Sequence, residues 1–144
     1  MKYFLLVIFL YSSVLGVSQE QNKSLSENVE LTYKKGETRL EINENGELHL
    51  NVSPRDVRKF RASGLVRYGD FGAKGDGKTD DMDAIAATHA FANQHNLFVK
   101  ADEEATYYIG GKDRTAIIQT DTDFGTATFI IDDTEVENRN AHVF

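Results

Sequence analysis

The sequence of 144 residues contains no cysteine, which excludes a disulfide framework, thiolate zinc sites and a cysteine nucleophile. Proline occurs once, at Pro54, so collagen-like and proline-rich readings fall as well. Bases are scarce: 16 Lys and Arg stand against 23 Asp and Glu, for a formal charge of -7. A chain with that balance lacks the basic face that a general nucleic-acid binder presents to phosphates. What is present suits a globular protein, since a 40% hydrophobic composition is too apolar for a disordered chain.

The first residues read as an address. Met1-Lys2 is a short positive segment, Phe4 to Leu10 (FLLVIFL) is apolar, and Gly16-Val17-Ser18 fits a small-x-small cleavage site. Ser12 and Ser13 interrupt the apolar run well short of the roughly 20 residues of a spanning helix. Residues 1–18 are therefore expected to be a signal peptide, with the protein secreted, periplasmic or at the cell surface. Residues 19–30 (QEQNKSLSENVE) are polar and without periodicity, and read as a linker. Asn22-Lys23-Ser24 and Asn51-Val52-Ser53 match the glycosylation pattern, which is common by chance.

Residues 31–63 are expected to form a β-hairpin and a short helix. Leu40 and Ile42 alternate with charged neighbours, as do Leu48, Leu50 and Val52, and Asn45-Gly46 between them supplies a tight turn. His49 falls on the polar face and reads as solvated. Pro54 to Ser63 (PRDVRKFRAS) reads as a helix with Ser53 as its cap and with Val57 and Phe60 on one face. Its bases, Arg55, Arg58, Lys59 and Arg61, read first as a solvated helix face and second as a polyanion site.

Leu65 to Tyr68 reads as a strand, and Met82 to His95 as a helix with Ile85, His89 and Ala92 in one inward row beside Ala84, Thr88 and Phe91. Thr79 or Asp80 is the expected N-cap, and Asp80, Asp81 and Asp83 favour the positive end of the helix dipole. Beyond it, Leu97 to Lys100, Thr106 to Ile109, Ala116 to Gln119 and Ala127 to Ile131 are short β-type runs, read as an all-β array in place of βαβ units. The apolar end at Val143-Phe144, straight after that pattern, reads as an interruption.

Several short motifs point elsewhere and do not hold. Gly72 to Thr79 (GAKGDGKT) satisfies the phosphate-loop pattern G-x-x-x-x-G-K-[ST], but Asp76, Asp80 and Asp81 would crowd a triphosphate. Asp70-Phe71-Gly72 and Asp123-Phe124-Gly125 spell the kinase metal tripeptide without the rest of the kinase set, and read as turns. His49, His89, His95 and His142 show no metal spacing, and His89 reads as a core histidine with one hydrogen bond. Asp121, Asp123, Asp132, Asp133, Glu135 and Glu137 are dense enough for calcium, but lack the EF-hand pattern. Asp121 and Asp123 have the spacing of a paired-carboxylate site, with no cleft legible around them.

The stretch Tyr68 to Ala92 (YGDFGAKGDGKTDDMDAIAATHAFA) resembles the N-terminal signature of the pectate-lyase-like superfamily. That group includes polygalacturonases, rhamnogalacturonases and related polysaccharide lyases and epimerases. Asp70, Phe71, Gly72, Ala73, Gly75, Asp76, Gly77, Thr79, Asp80, Asp81, Ala84 and Ile85 fit the signature, and Ala105 to Ile109 resembles the strand that follows it. The chain departs at Asp102-Glu103-Glu104-Ala105, where P-P-G is usual, and at His89, where an aliphatic is common.

The resemblance implies a mainly β fold: the start of a right-handed parallel β-helix with an N-terminal capping α-helix and a preceding β-hairpin, residues 64–144 supplying the cap and first coils. It implies the N-terminal part of an exported polysaccharide lyase or glycoside hydrolase acting on an acidic, plant or algal polysaccharide. The alternative is a non-catalytic glycan-binding or adhesion protein. Catalytic residues lie on later coils in that family, so no catalytic residue, metal ligand or cofactor is expected on this chain, and calcium only in a longer one. Gly72, Gly75, Asp76, Gly77, Thr79, Asp80 and Asp81 are expected to be structural.

Overall fold

Residues 29–110, 114–134 and 143–144 are described in a computed structural model of the chain. The expected signal peptide, the expected linker up to residue 28, and Glu135, Glu137 and His142 lie outside the described residues. Among the described residues, no helix is long and apolar enough to cross a membrane.

Three strands open the fold: β1 (Glu30–Lys35), β2 (Thr38–Ile42) and β3 (Leu48–Asn51) pair antiparallel in that order. The β2–β3 connection is longer than a two-residue Asn45-Gly46 turn. Leu48 pairs with Ile42, and the Asn43 side-chain oxygen accepts from the N–H groups of Asn45 and Glu47 across the intervening loop. Alternation places Leu40 opposite Leu50 on the buried face.

Helix α1 (Pro54–Ser63) follows for local reasons. The Ser53 hydroxyl accepts from the Asp56 N–H, Pro54 occupies the first turn, where its missing donor costs nothing, and Gly64 closes the helix in the left-handed conformation. Its one fully committed apolar side chain, Phe60, lies 5.7 Å ring to ring from both Phe71 and Phe91. This aromatic triangle joins α1 to a 3-10 turn at Tyr68–Phe71 and to helix α2 (Met82–His95). α2 is buried on most of its circumference: Ile85, Thr88, His89 and Ala92 have no exposed surface. Asn96 ends it with φ of 52°.

The remaining strands are short. β4 (Leu65–Arg67), β6 (Phe98–Lys100) and β8 (Thr122–Asp123) form one parallel sheet. β5 (Asp76–Asp80), β7 (Thr106–Ile109) and β9 (Thr128–Ile131) form another. Because β4 and β6 run parallel, the chain between them must cross over, and α2 is part of that crossover.

The expectation of a mainly β chain, the start of a right-handed parallel β-helix, is therefore corrected. The described residues form one antiparallel and two parallel three-stranded sheets with two helices, 27% helix against 34% strand, and no solenoid is found among them. The helices are no mere cap: Phe60 of α1 and Met82, Ile85, Phe91 and Ala92 of α2 share one core with Val66, Val99, Tyr107 and Ile109 of the strands. Among the described residues beyond α2, strands β6, β7, β8 and β9 follow one another with no helix between them, and Ala116 to Gln119 is not one of the strands. Alternation marks a run as extended but does not say which edge it pairs with or in which direction.

Candidate functional site

The loop from Gly69 to Asp81 carries most of the chain's unusual chemistry. Its glycines come first, because they let the backbone turn where a side chain would not fit. Gly72 has φ of 106°, and a Cβ placed there would lie 2.7 Å from the ring of Tyr33 on β1. Gly75 has φ of 60°, and its Cβ would meet that of Ala105 at 2.7 Å. Gly72→Ala is expected to cost on the order of 1–2 kcal/mol from the left-handed backbone alone. The Tyr33 ring must also shift, so protease cleavage within residues 30–51 should quicken. An unchanged urea midpoint would contradict this account.

The carboxylates then hold the turned backbone. The Asp81 side chain, buried, accepts from the N–H groups of Lys74 at 2.6 Å and Gly75 at 3.1 Å. The Asp76 side chain accepts from the N–H groups of Lys78 and Thr79 at 2.9 and 2.8 Å, and from the Thr79 hydroxyl at 2.9 Å. Asp80 accepts from the N–H of Met82 at 2.9 Å. The expected cap at Thr79 or Asp80 is corrected: Asp81 occupies the N-cap position, and its side chain reaches back into the loop without capping the helix. Gly77 sits where β5 bulges, four steps from Asp76 to Asp80 being set against two from Thr106 to Tyr108 on β7.

The local electrostatics follow. Backbone donors at Thr79 and Lys78 hold the Asp76 carboxyl below the usual carboxylate range. Burial pushes Asp81 above it, against the pull of its two amide bonds. The four amides at Lys74, Gly75, Lys78 and Thr79, the kind of group a phosphate loop offers its ligand, here serve carboxylates of the loop itself. Calorimetric titration of ATP with magnesium should show no heat beyond dilution. Micromolar binding lost in Lys78→Ala would restore the nucleotide reading.

Two further groups complete the site, and neither stood out in the sequence as a pair. The Asp102 carboxylate accepts from the Gly69 N–H at 2.8 Å and from the Tyr107 hydroxyl at 2.9 Å, which fixes the 3-10 turn to β7. Beneath it, Tyr68 and His89 meet through the Tyr hydroxyl and Nε2 at 2.9 Å, both without exposed surface. Burial pushes the His89 imidazole down to about 4 and the Tyr68 hydroxyl upward. The inward row of α2 signalled a buried His89; its partner lies 21 residues away, beyond the reach of helical spacing.

The Asp70-Phe71-Gly72 and Asp123-Phe124-Gly125 tripeptides are turns: Asp70 accepts from the Arg67 N–H and Asp123 from the Gly125 N–H. Among the described residues, no group of three His, Asp or Glu side chains is placed to hold a metal ion. Asp83, expected at the helix start, lies in the first turn of α2, and its carboxylate pairs with the Arg114 guanidinium. Asp70, Asp76, Asp80 and Asp81 thus each accept from backbone N–H groups of the loop or its flanks. Compared with family models, with curated proteins and with solved structures, the chain matches none.

Proposed function

We propose that this chain is the N-terminal, non-catalytic part of an exported polysaccharide-degrading enzyme, a lyase or a glycoside hydrolase. The observation that supports the reading is the unit from Tyr68 to Ala92. Its sequence resembles the pectate-lyase-like signature, and four of its five aspartates, Asp70, Asp76, Asp80 and Asp81, accept from backbone N–H groups, the fifth, Asp83, pairing with Arg114. Carboxylates committed in this way organise a scaffold, and the acid or base of glycosidic cleavage must come from elsewhere.

Protein comprising residues 19–144 is expected to release neither reducing ends nor unsaturated uronate from pectin or alginate. The gene product that carries this segment is expected to release one or the other. Activity in residues 19–144 alone overturns the proposal, as does a gene product inert on both. A product that retains polysaccharide but cleaves none is the glycan-binding alternative.

A further inference from the structure

We propose that Asn45 is a site of spontaneous chemical modification, converting to isoaspartate in the β2–β3 loop and thereby freeing that loop from α2. The pair Asn45-Gly46 occurs once in the sequence, and both residues are exposed. The reaction needs only water. The Gly46 main-chain nitrogen attacks the Asn45 side-chain carbonyl carbon, the new N–Cγ bond closes a cyclic imide, and the Cγ–Nδ2 bond breaks. Ammonia leaves with the proton that the Gly46 nitrogen gives up. Water then opens the imide at either carbonyl, giving aspartate or isoaspartate, and nothing is oxidised or reduced.

The loop favours this chemistry at Asn45 over the other described asparagines. Gly46 has φ of 77°, and a Cβ placed there would meet nothing within 4 Å, so neither a side chain nor a neighbour crowds the attacking nitrogen. The Asn45 side chain has no hydrogen-bond partner among the described residues, and its N–H donates to Asn43 Oδ1. The Asn43 amide is held at both ends: its oxygen accepts from the N–H groups of Asn45 and Glu47, and its nitrogen donates to the Glu47 carboxylate. Asn93, on α2, is bonded at both ends to Ile117 and Gln119. Asn51 precedes the β-branched Val52 and Asn96 the buried Leu97, so a side chain stands beside the nitrogen in each. One bond opposes the reaction at Asn45, from the Gly46 N–H to the Asn43 carbonyl at 2.9 Å. It lies in an exposed loop, where local opening is easiest.

The consequence runs through Arg114. Its guanidinium donates to the Gly46 carbonyl at 3.1 Å and pairs with Asp83 in the first turn of α2, which ties the loop to the helix. Isoaspartate routes the main chain through Cβ and Cγ of residue 45. That adds an atom to the loop and leaves the former main-chain carbonyl as a free carboxylate. The Asn43 oxygen then loses the spacing that lets it serve two N–H groups, and the Gly46 carbonyl moves away from Arg114. The new carboxylate, next to Gly46, competes with Asp83 for the same guanidinium.

The full chain, held at mildly alkaline pH and mapped by peptide mass spectrometry, should exchange NH2 for OH at Asn45 before any other asparagine, with isoaspartate as the larger product. Because one hydrogen bond shields the Gly46 nitrogen, the folded chain should convert no more than about tenfold slower than the chain unfolded in guanidinium chloride. Asn45→Gln should fold and stay unconverted, since its longer side chain closes a less favoured ring. Cleavage after Glu44 and Glu47 by a glutamate-specific protease should quicken severalfold in the converted chain. Freshly purified Asn45→Asp, which adds the charge without the extra main-chain atom, should be cut like the parent. Conversion confined to the unfolded chain, or another asparagine converting first, overturns the site. Unchanged cleavage after conversion, or Asn45→Asp cut as fast as the converted chain, overturns the release of the loop.

Discussion

Asp81→Ala is expected to destabilise the fold by about 2–4 kcal/mol, because it strips the acceptor from two backbone N–H groups at once, each costing about 1–3 kcal/mol when left unmet. The bonds to Lys74 and Gly75 hold the loop in the shape that delivers Asp81 to the start of α2. Their loss should therefore loosen both the loop and the helix N-terminus. Asp81→Asn should cost roughly half as much. It keeps one acceptor oxygen and removes a buried charge, but turns an NH2 toward a second donor. Urea melts of the three proteins, with amide exchange at Lys74 and Gly75, check the order. If Asp81→Asn were as damaging as Asp81→Ala, the retained acceptor oxygen would contribute nothing and the two-bond account would fail.

Acid should unfold the protein in a window set by His89. Burial holds the folded imidazole down to about 4, while in the unfolded chain it titrates near 6.5. As pH falls below 6.5 the unfolded chain binds the proton first, so stability declines until pH 4 and this contribution is flat below that. The shift corresponds to a loss of about 3 kcal/mol between pH 7 and pH 4. Asp56, Asp76 and Asp132 have lowered folded values, so their contributions are lost at still lower pH, as it falls from about 3.8 through those values. The two phases are therefore separable in a series of urea midpoints. His89→Gln, uncharged at every pH, should abolish the decline between pH 7 and 4, leaving the opposite and stabilising protonation of the raised Asp81 carboxyl, while lowering stability at pH 7 by about 1–2 kcal/mol. A variant that kept the wild-type slope would assign the acid loss to another group.

Parts of this architecture were legible in the sequence wherever the signal is local. Ser53, Pro54 and Gly64 mark both ends of α1, and they act within a few residues of themselves. The inward row of α2 is a property of its own period. Strand β5 was not legible, because DGKTD carries no apolar residue; it is a strand only through pairing with β7. The reverse error occurred at Ala116 to Gln119, whose apolar run reads as a strand. There the Asn93 side chain donates to the Ile117 carbonyl and accepts from the Gln119 N–H, doing from α2 what a neighbouring strand would otherwise do. The glycines and aspartates of the loop stood out as a group, but which carboxylate served which amide depended on how the backbone turned. The return of the β1–β2 turn to α1, where the Thr38 hydroxyl donates to the Asp56 carboxylate 18 positions on, was not legible for a similar reason.

The two parallel sheets also bear on how fast the chain can fold. Their pairings are long-range: Leu65 pairs with Phe98, Val99 with Thr122, Asp76 with Thr106, and Thr106 with Thr128. Every such contact requires closing a large loop before any strand pairing repays it, whereas β2 and β3 close across a short turn and α1 and α2 close within themselves. The antiparallel strands and helices are thus the elements that can form early, and the parallel pairs set the rate. During that interval Ile130 and Ile131, still exposed on β9 in the finished fold, offer a bare apolar strand to neighbouring chains. Refolding yield should accordingly depend on protein concentration more steeply than the stability of the native state would suggest.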